Sequence, residues 1–284
     1  MMRHVMVVGY GIMGQGIALS FVRGGHQVTV LSRNPSRIDA LPDGILAVAE
    51  LPADPPDLII EAVPERLELK NSLFARLERA YGDLPILATN TSGLSMEAMA
   101  AELQYPHRFI GIHYFQPAEM LPSVEVMLVK QTDQTTLQQV TEALSRNGQQ
   151  AVIIKRPIAG FLANRLQHAM LHEAFSMIEQ GLVTAEDVDL VCKTMFGPRM
   201  CVTGLLEQKD ISGLATTAAA QQTLVPQLNH SGTPIRLLQD MVARGQVGVK
   251  SGVGFYDWAN RDIAAHKKEA MKKLVSILEI LSEN

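Results

Sequence analysis

Residues 5–14 read V-M-V-V-G-Y-G-I-M-G, an apolar run that ends in a G-x-G-x-x-G motif. The run at 5–8 predicts a buried central strand, because it is bulky and apolar throughout. Helix-like sequence follows at 15–21, and a second apolar strand-like run follows at 27–31. A glycine motif between a strand and a helix predicts a dinucleotide-binding turn, with a plain glycine turn of an α/β domain as the alternative.

The three glycines of the motif have separate predicted roles. Gly9 makes the tight turn, Gly11 lets a pyrophosphate approach the backbone, and Gly14 lets the helix pack closely on the strand. The N-terminus of the following helix offers N–H groups and a positive dipole end to the phosphates. Together these features predict a binding site for NAD or NADP.

The end of the second predicted strand bears on the choice between NAD and NADP. A site for NAD carries an acidic residue here, which accepts hydrogen bonds from the ribose 2′-hydroxyl. This chain has Ser32 followed by Arg33, and a serine with an arginine suits a 2′-phosphate better than a free hydroxyl. The pair therefore favours NADP over NAD. The alternative is that Arg33 stacks on the adenine of NAD.

The charge balance and the cysteine count argue against several classes of protein. The 284 residues contain 25 Lys and Arg against 29 Asp and Glu, a net charge of −4, which argues against nucleic acid as a partner. Cys192 and Cys201 form neither a disulfide framework nor a C-x-x-C site, which suits a reducing cytosol. No signal-peptide pattern precedes the first strand, and no apolar run is long enough to span a membrane. We expect a cytoplasmic protein without a membrane partner.

Strand-like and helix-like segments alternate from the first strand to the apolar run at 151–154. This alternation predicts the α/β class, with an N-terminal Rossmann-type doubly wound sheet. The connection from the strand ending at His113 to the strand near Val124 is too short for a right-handed crossover, so we expect an antiparallel edge there. After Pro157, helical patterns replace strands. We predict a dinucleotide-binding domain at 1–156 and an all-α C-terminal domain at 157–284.

Three polar residues follow the carboxyl ends of predicted strands, where ligands bind in open α/β sheets. They are Glu65, Ser92 and His113. Glu125 lies on the strand that is expected to pair with the strand of His113. A carboxylate beside an imidazole fixes its tautomer and stabilises its protonated form. His113 is therefore a candidate general base, taking a hydroxyl proton while a hydride leaves for nicotinamide.

The chain resembles the 3-hydroxyacyl-CoA dehydrogenase family over nearly its whole length. The matching motifs, in chain order, are G-Y-G-I-M-G at 9–14, E-A-V-P-E at 61–65 with Lys70, N-T-S at 90–92, H-Y-F-Q-P at 113–117, V-E-V at 124–126, G-F-L-A-N-R at 160–165 and G-V-G-F-Y at 252–256. The number of these motifs and their order carry the resemblance.

The resemblance implies a role for each matching residue. It makes His113 the catalytic base, with Glu125 as its carboxylate partner. It also implies that Ser92 binds the substrate hydroxyl and that Asn164 faces the substrate from the helical domain. A homodimer formed through that domain and a place in fatty acid metabolism are implied as well. The cofactor-binding residues expected on this basis are Gly9, Gly11, Ile12, Met13, Gly14, Ser32, Arg33, Glu65, Lys70 and Asn90.

The chain also departs from the family pattern. Ser32 replaces the usual aspartate, and Gln116 replaces the asparagine of H-F-F-N-P. The residues before Val124 are closer to the L-gulonate and carnitine dehydrogenase branch. Family members carry a long charged helical hairpin before the E-A-x-x-E strand, which helps to hold the CoA nucleotide. Here residues 35–57 are too short and too rich in proline for helices of normal length.

We therefore expect an NAD(P)-dependent oxidoreductase that acts on a CH–OH group of a small 3-hydroxyacyl thioester, as 3-hydroxybutyryl-CoA dehydrogenases do. The alternative substrate is a free or carrier-protein-bound hydroxy acid, because the grip on CoA is weakened or absent. A non-catalytic dinucleotide-binding protein is a further alternative, against which the intact candidate site argues. We expect no metal, since His168 and His172 share a helical face without an evident third ligand.

Overall fold

The computed structural model describes residues 2–38 and 40–282, and the chain forms two compact units, Met1–Arg165 and Leu166–Asn284. The boundary between the units falls inside the first long helix of the predicted C-terminal domain. This helix starts in the first unit, because its first backbone N–H group is bonded to Glu125 of the sheet. The predicted domain limits at 156 and 157 stay a prediction.

The first unit is built on one eight-stranded sheet. Strands β1 to β6 run parallel, β7 is antiparallel to β6, and β8 is parallel to β7. This confirms the predicted doubly wound sheet and its antiparallel edge. The strands are β1 (His4–Val8), β2 (Gln27–Leu31), β3 (Ile45–Val48), β4 (Leu58–Glu61), β5 (Ile86–Thr89), β6 (Phe109–His113), β7 (Ser123–Leu128) and β8 (Gln150–Ile154), in the spatial order β3-β2-β1-β4-β5-β6-β7-β8.

Four helices cover the two faces of this sheet. Val5 and Val7 of β1 belong to the same core as Phe21 on one face, whereas Met6 belongs to the core that contains Phe74 on the other. A strand buried on both faces needs apolar residues at every position, which explains the continuous run at 5–8. The helices are α1 (Ile12–Arg23), α2 (Leu67–Tyr81), α3 (Met96–Ala101) and α4 (Gln134–Arg146).

The strand order reverses between β1 and β4, which pair with each other while β2 lies on the opposite side of β1. Such a reversal opens a crevice at the carboxyl ends of the strands, where ligands bind in open α/β sheets. Residues 32–57 connect β2 to β4, and the described residues among them form β3 and a 3₁₀ turn at Pro35–Arg37 but no α-helix. The long helical hairpin of the family is therefore absent from this connection.

The second unit is helical and contains isolated β-bridges at Gly248, Val253 and Asp257. Here Phe255 stacks on Phe175 with ring centroids 5.7 Å apart, and the Tyr256 hydroxyl donates to Asp189 at 2.9 Å. The G-V-G-F-Y motif thus packs against the first helices of this unit. Its helices are α5 (Ala163–Glu179), which begins in the first unit, α6 (Ala185–Val191), α7 (Gly197–Val202), α8 (Glu207–Ser212), α9 (Leu214–Leu224), α10 (Arg236–Ala243) and α11 (Ile263–Ser282).

Every helix within residues 2–38 and 40–282 is too short or too polar to cross a membrane.

Candidate active site

The glycine turn has the geometry that its three glycines predict. Gly9 has a φ of +99°, and a side chain there would meet the carbonyl oxygen of Ala62 at 2.7 Å. A Cβ on Gly14 would lie 2.0 Å from the carbonyl oxygen of Gly9, so helix α1 packs directly on the turn. A Cβ on Gly11 would meet no atom within 4 Å, which leaves open space over its backbone. The turn is thus tightly packed at Gly9 and Gly14, and it leaves room for a ligand at Gly11.

The residues next to the turn fit a dinucleotide. Gly11 is the N-cap of α1, and no side chain caps the helix, so its first N–H groups face the open space. Ile12 begins α1 with 69% of its side chain exposed, and Met13 follows it half-buried. At the end of β2, Ser32 is half-buried and Arg33 is exposed. The free N–H groups of α1 can bind a phosphate, and the exposed Ile12 beside them can pack against the same ligand.

His113, Glu125 and Ser92 form one hydrogen-bonded row at the carboxyl end of β6. Nδ1 of His113 lies 2.8 Å from Oε2 of Glu125, and Nε2 lies 3.1 Å from Oγ of Ser92. An ionised carboxylate only accepts, so Nδ1 carries the proton and Nε2 accepts from the Ser92 hydroxyl. The imidazole is 3% exposed. Because Nδ1 is bonded to Glu125, Nε2 is the nitrogen that can take a proton from a substrate.

The start of α5 binds the second carboxylate oxygen of Glu125, the one that does not face His113. Backbone N–H groups of Leu162 and Ala163 donate to Oε1 of Glu125, both at 2.8 Å. Phe161, just before them, adopts a φ of +55°, and its ring lies 4.5 Å from the His113 ring. A non-glycine residue in this region costs about 1–3 kcal/mol, so the surrounding contacts must hold it there.

Asn164 and Asn90 occupy different places around this row. Asn164 is the second residue of α5 and is half-buried, next to the N–H groups that bind Glu125. Oδ1 of Asn90 accepts from the backbone N–H of Tyr114 at 2.9 Å, so Asn90 fixes the chain directly after His113. The predicted contacts of Asn164 with substrate and of Asn90 with cofactor stay predictions.

Glu65 and Lys70 belong to an ion-pair network that contacts the backbone of Ser92. Lys70 is 1% exposed, and its Nζ lies 2.7 Å from both carboxylate oxygens of Glu61 and 3.1 Å from Oε2 of Glu65. Burial alone would raise the pKa of Glu65, but the hydrogen bond from Thr91 and the charge of Lys70 outweigh it and bring the pKa below its usual value. The predicted contact of Glu65 and Lys70 with a cofactor stays a prediction.

Sequence reasoning missed the roles of Glu61, Thr91 and Phe161 in this site. The available signal for Glu61 was a charged residue at the end of the apolar strand β4, where an unpaired charge is costly. No comparable signal marked Phe161, because a phenylalanine predicts neither a left-handed backbone nor a contact with a distant histidine.

A pocket of about 230 Å³ adjoins the turn that carries Ser92. It is lined by residues 93–97, Met127 and residues 157–161. Within residues 2–38 and 40–282, no group of three or more His, Cys, Asp or Glu side chains is placed to hold a metal ion.

A doubly wound sheet, a glycine turn open to phosphates and a histidine held between a carboxylate and a serine define a dinucleotide-dependent dehydrogenase. Residues 4–52 and 47–157 match the family model "3-hydroxyacyl-CoA dehydrogenase, NAD binding domain". Residues 160–258 match the model "3-hydroxyacyl-CoA dehydrogenase, C-terminal domain". The chain belongs to the 3-hydroxyacyl-CoA dehydrogenase family, and it is an oxidoreductase with an NAD-binding domain that acts on a CH–OH group.

Two relatives within this family differ in substrate. The 5-formyl-3-hydroxy-2-methylpyridine 4-carboxylate 5-dehydrogenase of Mesorhizobium japonicum is 27% identical over an alignment of 306 positions, gaps included, that covers 99% of each chain. The 3-hydroxybutyryl-CoA dehydrogenase of Mycobacterium tuberculosis is 32% identical over 285 residues, which cover 90% of this chain and 98% of the relative. A crystal structure of a 5-formyl-3-hydroxy-2-methylpyridine 4-carboxylic acid 5-dehydrogenase, titled an NAD⁺-dependent dismutase, superposes with a TM-score of 0.93 at 26% identity, covering 99% of each chain.

Proposed function

We propose that the protein is an NAD(P)-dependent dehydrogenase of a small carboxylate-bearing alcohol or aldehyde that is not attached to CoA. The observation that carries this proposal is the connection 32–57 between β2 and β4, in whose described residues no α-helix forms. The family resemblance assigns the grip on the CoA nucleotide to a helical hairpin in this place. Without it, a CoA thioester loses a large part of its binding surface.

The whole-chain likeness to the pyridine carboxylate dehydrogenase supports the same choice. The alignment covers 99% of each chain, and the solved relative superposes with a TM-score of 0.93. The substrate in its name is a small ring with a carboxylate and an aldehyde. We infer that the present substrate belongs to this class of small carboxylates.

The row of Ser92, His113 and Glu125 performs the proton transfer in this proposal. In oxidation, Nε2 of His113 takes the hydroxyl proton of the substrate, while Ser92 donates a hydrogen bond to the reacting oxygen. Glu125 stabilises the imidazolium that forms, since its Oε2 already accepts from Nδ1. With an aldehyde, the hydrate supplies the hydroxyl group. In reduction the same proton returns from Nε2 to the carbonyl oxygen.

NAD or NADP, when bound, accepts the hydride in oxidation and supplies it in reduction. The turn at 9–14 would hold the pyrophosphate, with Ile12 and Met13 beside it. Ser32 and Arg33 would meet the adenosine ribose, and their chemistry favours a 2′-phosphate. Asn164 would bind the reacting oxygen or a neighbouring carbonyl of the substrate. We propose a preference for NADP on this basis.

Initial rates on a panel of small hydroxy acids, hydroxymethyl carboxylates and aldehyde carboxylates test the proposal. The wild-type protein is expected to turn over at least one of them with NAD⁺ or NADP⁺, and His113→Ala is expected to lose at least about 10²-fold in kcat. Exposed His230→Gln serves as the matched control. Tight dinucleotide binding without any turnover would instead support a non-catalytic protein, and near-normal turnover by His113→Ala would place the base elsewhere.

A 3-hydroxyacyl thioester is the second candidate substrate, and it would place the enzyme in fatty acid metabolism. The complete set of family motifs around His113 favours it. The two candidates differ in their response to free CoA, because an enzyme that grips the nucleotide is inhibited by it. Competitive inhibition by CoA at micromolar concentration would support the thioester.

We also propose that the protein is a homodimer in a reducing cytosol. Among residues 166–282 only Ser176, Ile235 and Met241 are buried, whereas Val202 and Leu206 are 83% and 79% exposed. A helical unit with so small a core is not stable alone, because burial must offset the entropy of folding. A second copy of the chain is the usual partner for such a surface. Light scattering after size exclusion is expected to give twice the 31.1 kDa of the chain, and a monomer would contradict this.

A further inference from the structure

The turn that carries Ser92 is wrapped around a single carboxylate oxygen. Oε1 of Glu65 accepts from the hydroxyl of Thr91, from the backbone N–H of Ser92 at 3.0 Å and from that of Gly93 at 3.2 Å. Three donors from three successive residues therefore converge on one atom. Their convergence fixes the backbone from Thr91 to Gly93.

Glu65 is fixed in its turn by Lys70, which Glu61 holds in the core. Lys70 binds Oε2 of Glu65 at 3.1 Å, and both oxygens of Glu61 lie 2.7 Å from the same Nζ. Glu61 is 0% exposed and also accepts from the N–H of Val63 and the hydroxyl of Thr89, each at 2.7 Å. The Lys70 ammonium is thus buried and bonded to both carboxylates, and Glu61 is fully hydrogen-bonded. Few other positions of Lys70 would satisfy these groups.

The hydrogen-bond capacity of Glu65 is used within the protein. A carboxylate offers about four acceptor positions, and the four donors are the Thr91 hydroxyl, two N–H groups and the Lys70 ammonium. Lys70 likewise has three donors and three carboxylate oxygens within reach. With 43% of its side chain exposed, Glu65 keeps these four donors while remaining open to a bound dinucleotide.

We propose that Glu65 is a positioning residue for Ser92, and that the Lys70–Glu61 ion pair anchors it. Through the turn at 91–93, Glu65 holds the Ser92 hydroxyl 3.1 Å from Nε2 of His113. This role is additional to the direct cofactor contact that the family resemblance implies for Glu65 and Lys70. It rests on the proposed function, in which Ser92 and His113 handle the reacting oxygen.

A double-mutant cycle between Glu65→Gln and Ser92→Ala tests the role in catalysis. Glu65→Gln alone is expected to lower kcat about 10-fold or more, and to change kcat by less than about 2-fold when Ser92 is already alanine. Additive losses in kcat, measured at saturating dinucleotide, would overturn the proposal.

Two controls separate positioning from a general loss of structure. Glu68→Gln changes an exposed glutamate in the first turn of α2 and is expected to leave all readouts unchanged. Glu65→Gln is expected to fold normally, because Lys70 keeps its pairing with Glu61, and its melting temperature checks this. Lys70→Met is unsuitable as a test, because it would leave Glu61 buried without its partner.

A readout without substrate keeps this inference separate from the proposed function. The ¹⁵N chemical shift of His113 Nε2 reports its hydrogen bond with Ser92. Glu65→Gln and Ser92→Ala are expected to shift this signal alike, with no further change in the double variant. An unchanged signal in Glu65→Gln would overturn the positioning role. If the wild-type protein turns over no substrate, the proposed function fails while the ¹⁵N signal still decides the role of Glu65.

Discussion

Glu125 divides its two carboxylate oxygens between His113 and the start of helix α5. Oε2 accepts from Nδ1 of His113 at 2.8 Å, and Oε1 accepts two backbone N–H groups at 2.8 Å each. The two residues are also directly paired across β6 and β7. The sheet register brings the imidazole and the carboxylate together, and the helix start decides which oxygen faces the imidazole.

Glu125→Gln is expected to keep the fold and lose catalysis. The amide oxygen of the new side chain would accept the N–H groups of α5, which turns its NH₂ group toward Nδ1 of His113. The proton of the imidazole then moves to Nε2, where the base must be free. We expect kcat to fall about 10²–10⁴-fold without a large change in melting temperature. Glu142→Gln, on an exposed face of α4, is the control, and an active Glu125→Gln enzyme would rule out this role for the carboxylate.

Gly11 and Gly14 make a matched pair of alanine substitutions. Gly14→Ala places its methyl group 2.0 Å from the Gly9 carbonyl oxygen, so we expect a loss of stability of about 1–3 kcal/mol or more. Gly11 has a φ of −78° and open space, so Gly11→Ala is expected to fold normally. The methyl group of the Gly11→Ala variant would occupy the space expected for the pyrophosphate, so NADH binding is expected to weaken about 10-fold or more. Normal NADH binding by Gly11→Ala would show that the pyrophosphate lies elsewhere.

Arg33 is expected to decide between the two dinucleotides. Arg33→Gln removes the exposed positive charge after β2, so the KM for NADPH is expected to rise about 10-fold while the KM for NADH stays nearly constant. Arg79→Gln, which changes an exposed arginine of α2, controls for the loss of one charge. Equal changes for both cofactors would indicate that Arg33 stacks on the adenine instead.

Buried His26 is expected to make stability fall in mild acid. Burial and the nearby positive charge of Arg146 hold the pKa of His26 below its ordinary value of 6.5 in the folded protein, despite the opposing effects of Asn147 and Asp57. The unfolded chain therefore binds the proton first. The contribution to stability is complete above about pH 6.5 and is lost as the pH falls below it, with a slope of at most about 1.4 kcal/mol per pH unit.

His26→Phe keeps an aromatic ring beside Phe21 and removes the titrating group. Urea unfolding at several pH values between 5 and 8 is expected to show a shallower loss of unfolding free energy for this variant than for wild type. His4 has a lowered pKa as well, so part of the slope is expected to remain. Identical slopes in the two proteins would contradict the assignment to His26.

The sequence was sufficient for the parts of the fold and site that depend on strand ends. Continuous apolar runs located β1 and its neighbours, and a polar residue after each run placed His113 and Ser92 at one edge of the sheet. The short loop before β7 identified the antiparallel pairing that joins His113 to Glu125. These features follow from local pattern and topology, both of which can be read along the chain.

Other parts depend on contacts between segments far apart in the chain. Strand β3 escaped prediction because prolines surround it and its four residues gain their hydrogen bonds only from β2. The burial of Lys70 depends on Glu61, nine positions before it, and on the fold of β4 and α2 around both. The ring contact between Phe161 and His113 likewise forms only when the chain after β8 returns to the end of β6.

The enzyme is proposed to act on a small free carboxylate and not on a CoA thioester, and one comparison of rates tests this claim most directly. The kcat/KM for the best substrate of the panel of small carboxylates is measured beside that for acetoacetyl-CoA reduction, each with the NAD and NADP forms of the cofactor. We expect the free carboxylate to exceed the thioester by about 10²-fold or more. Rapid reduction of acetoacetyl-CoA with a low KM, and none of the carboxylate, would contradict the claim and establish that the missing hairpin is dispensable for CoA.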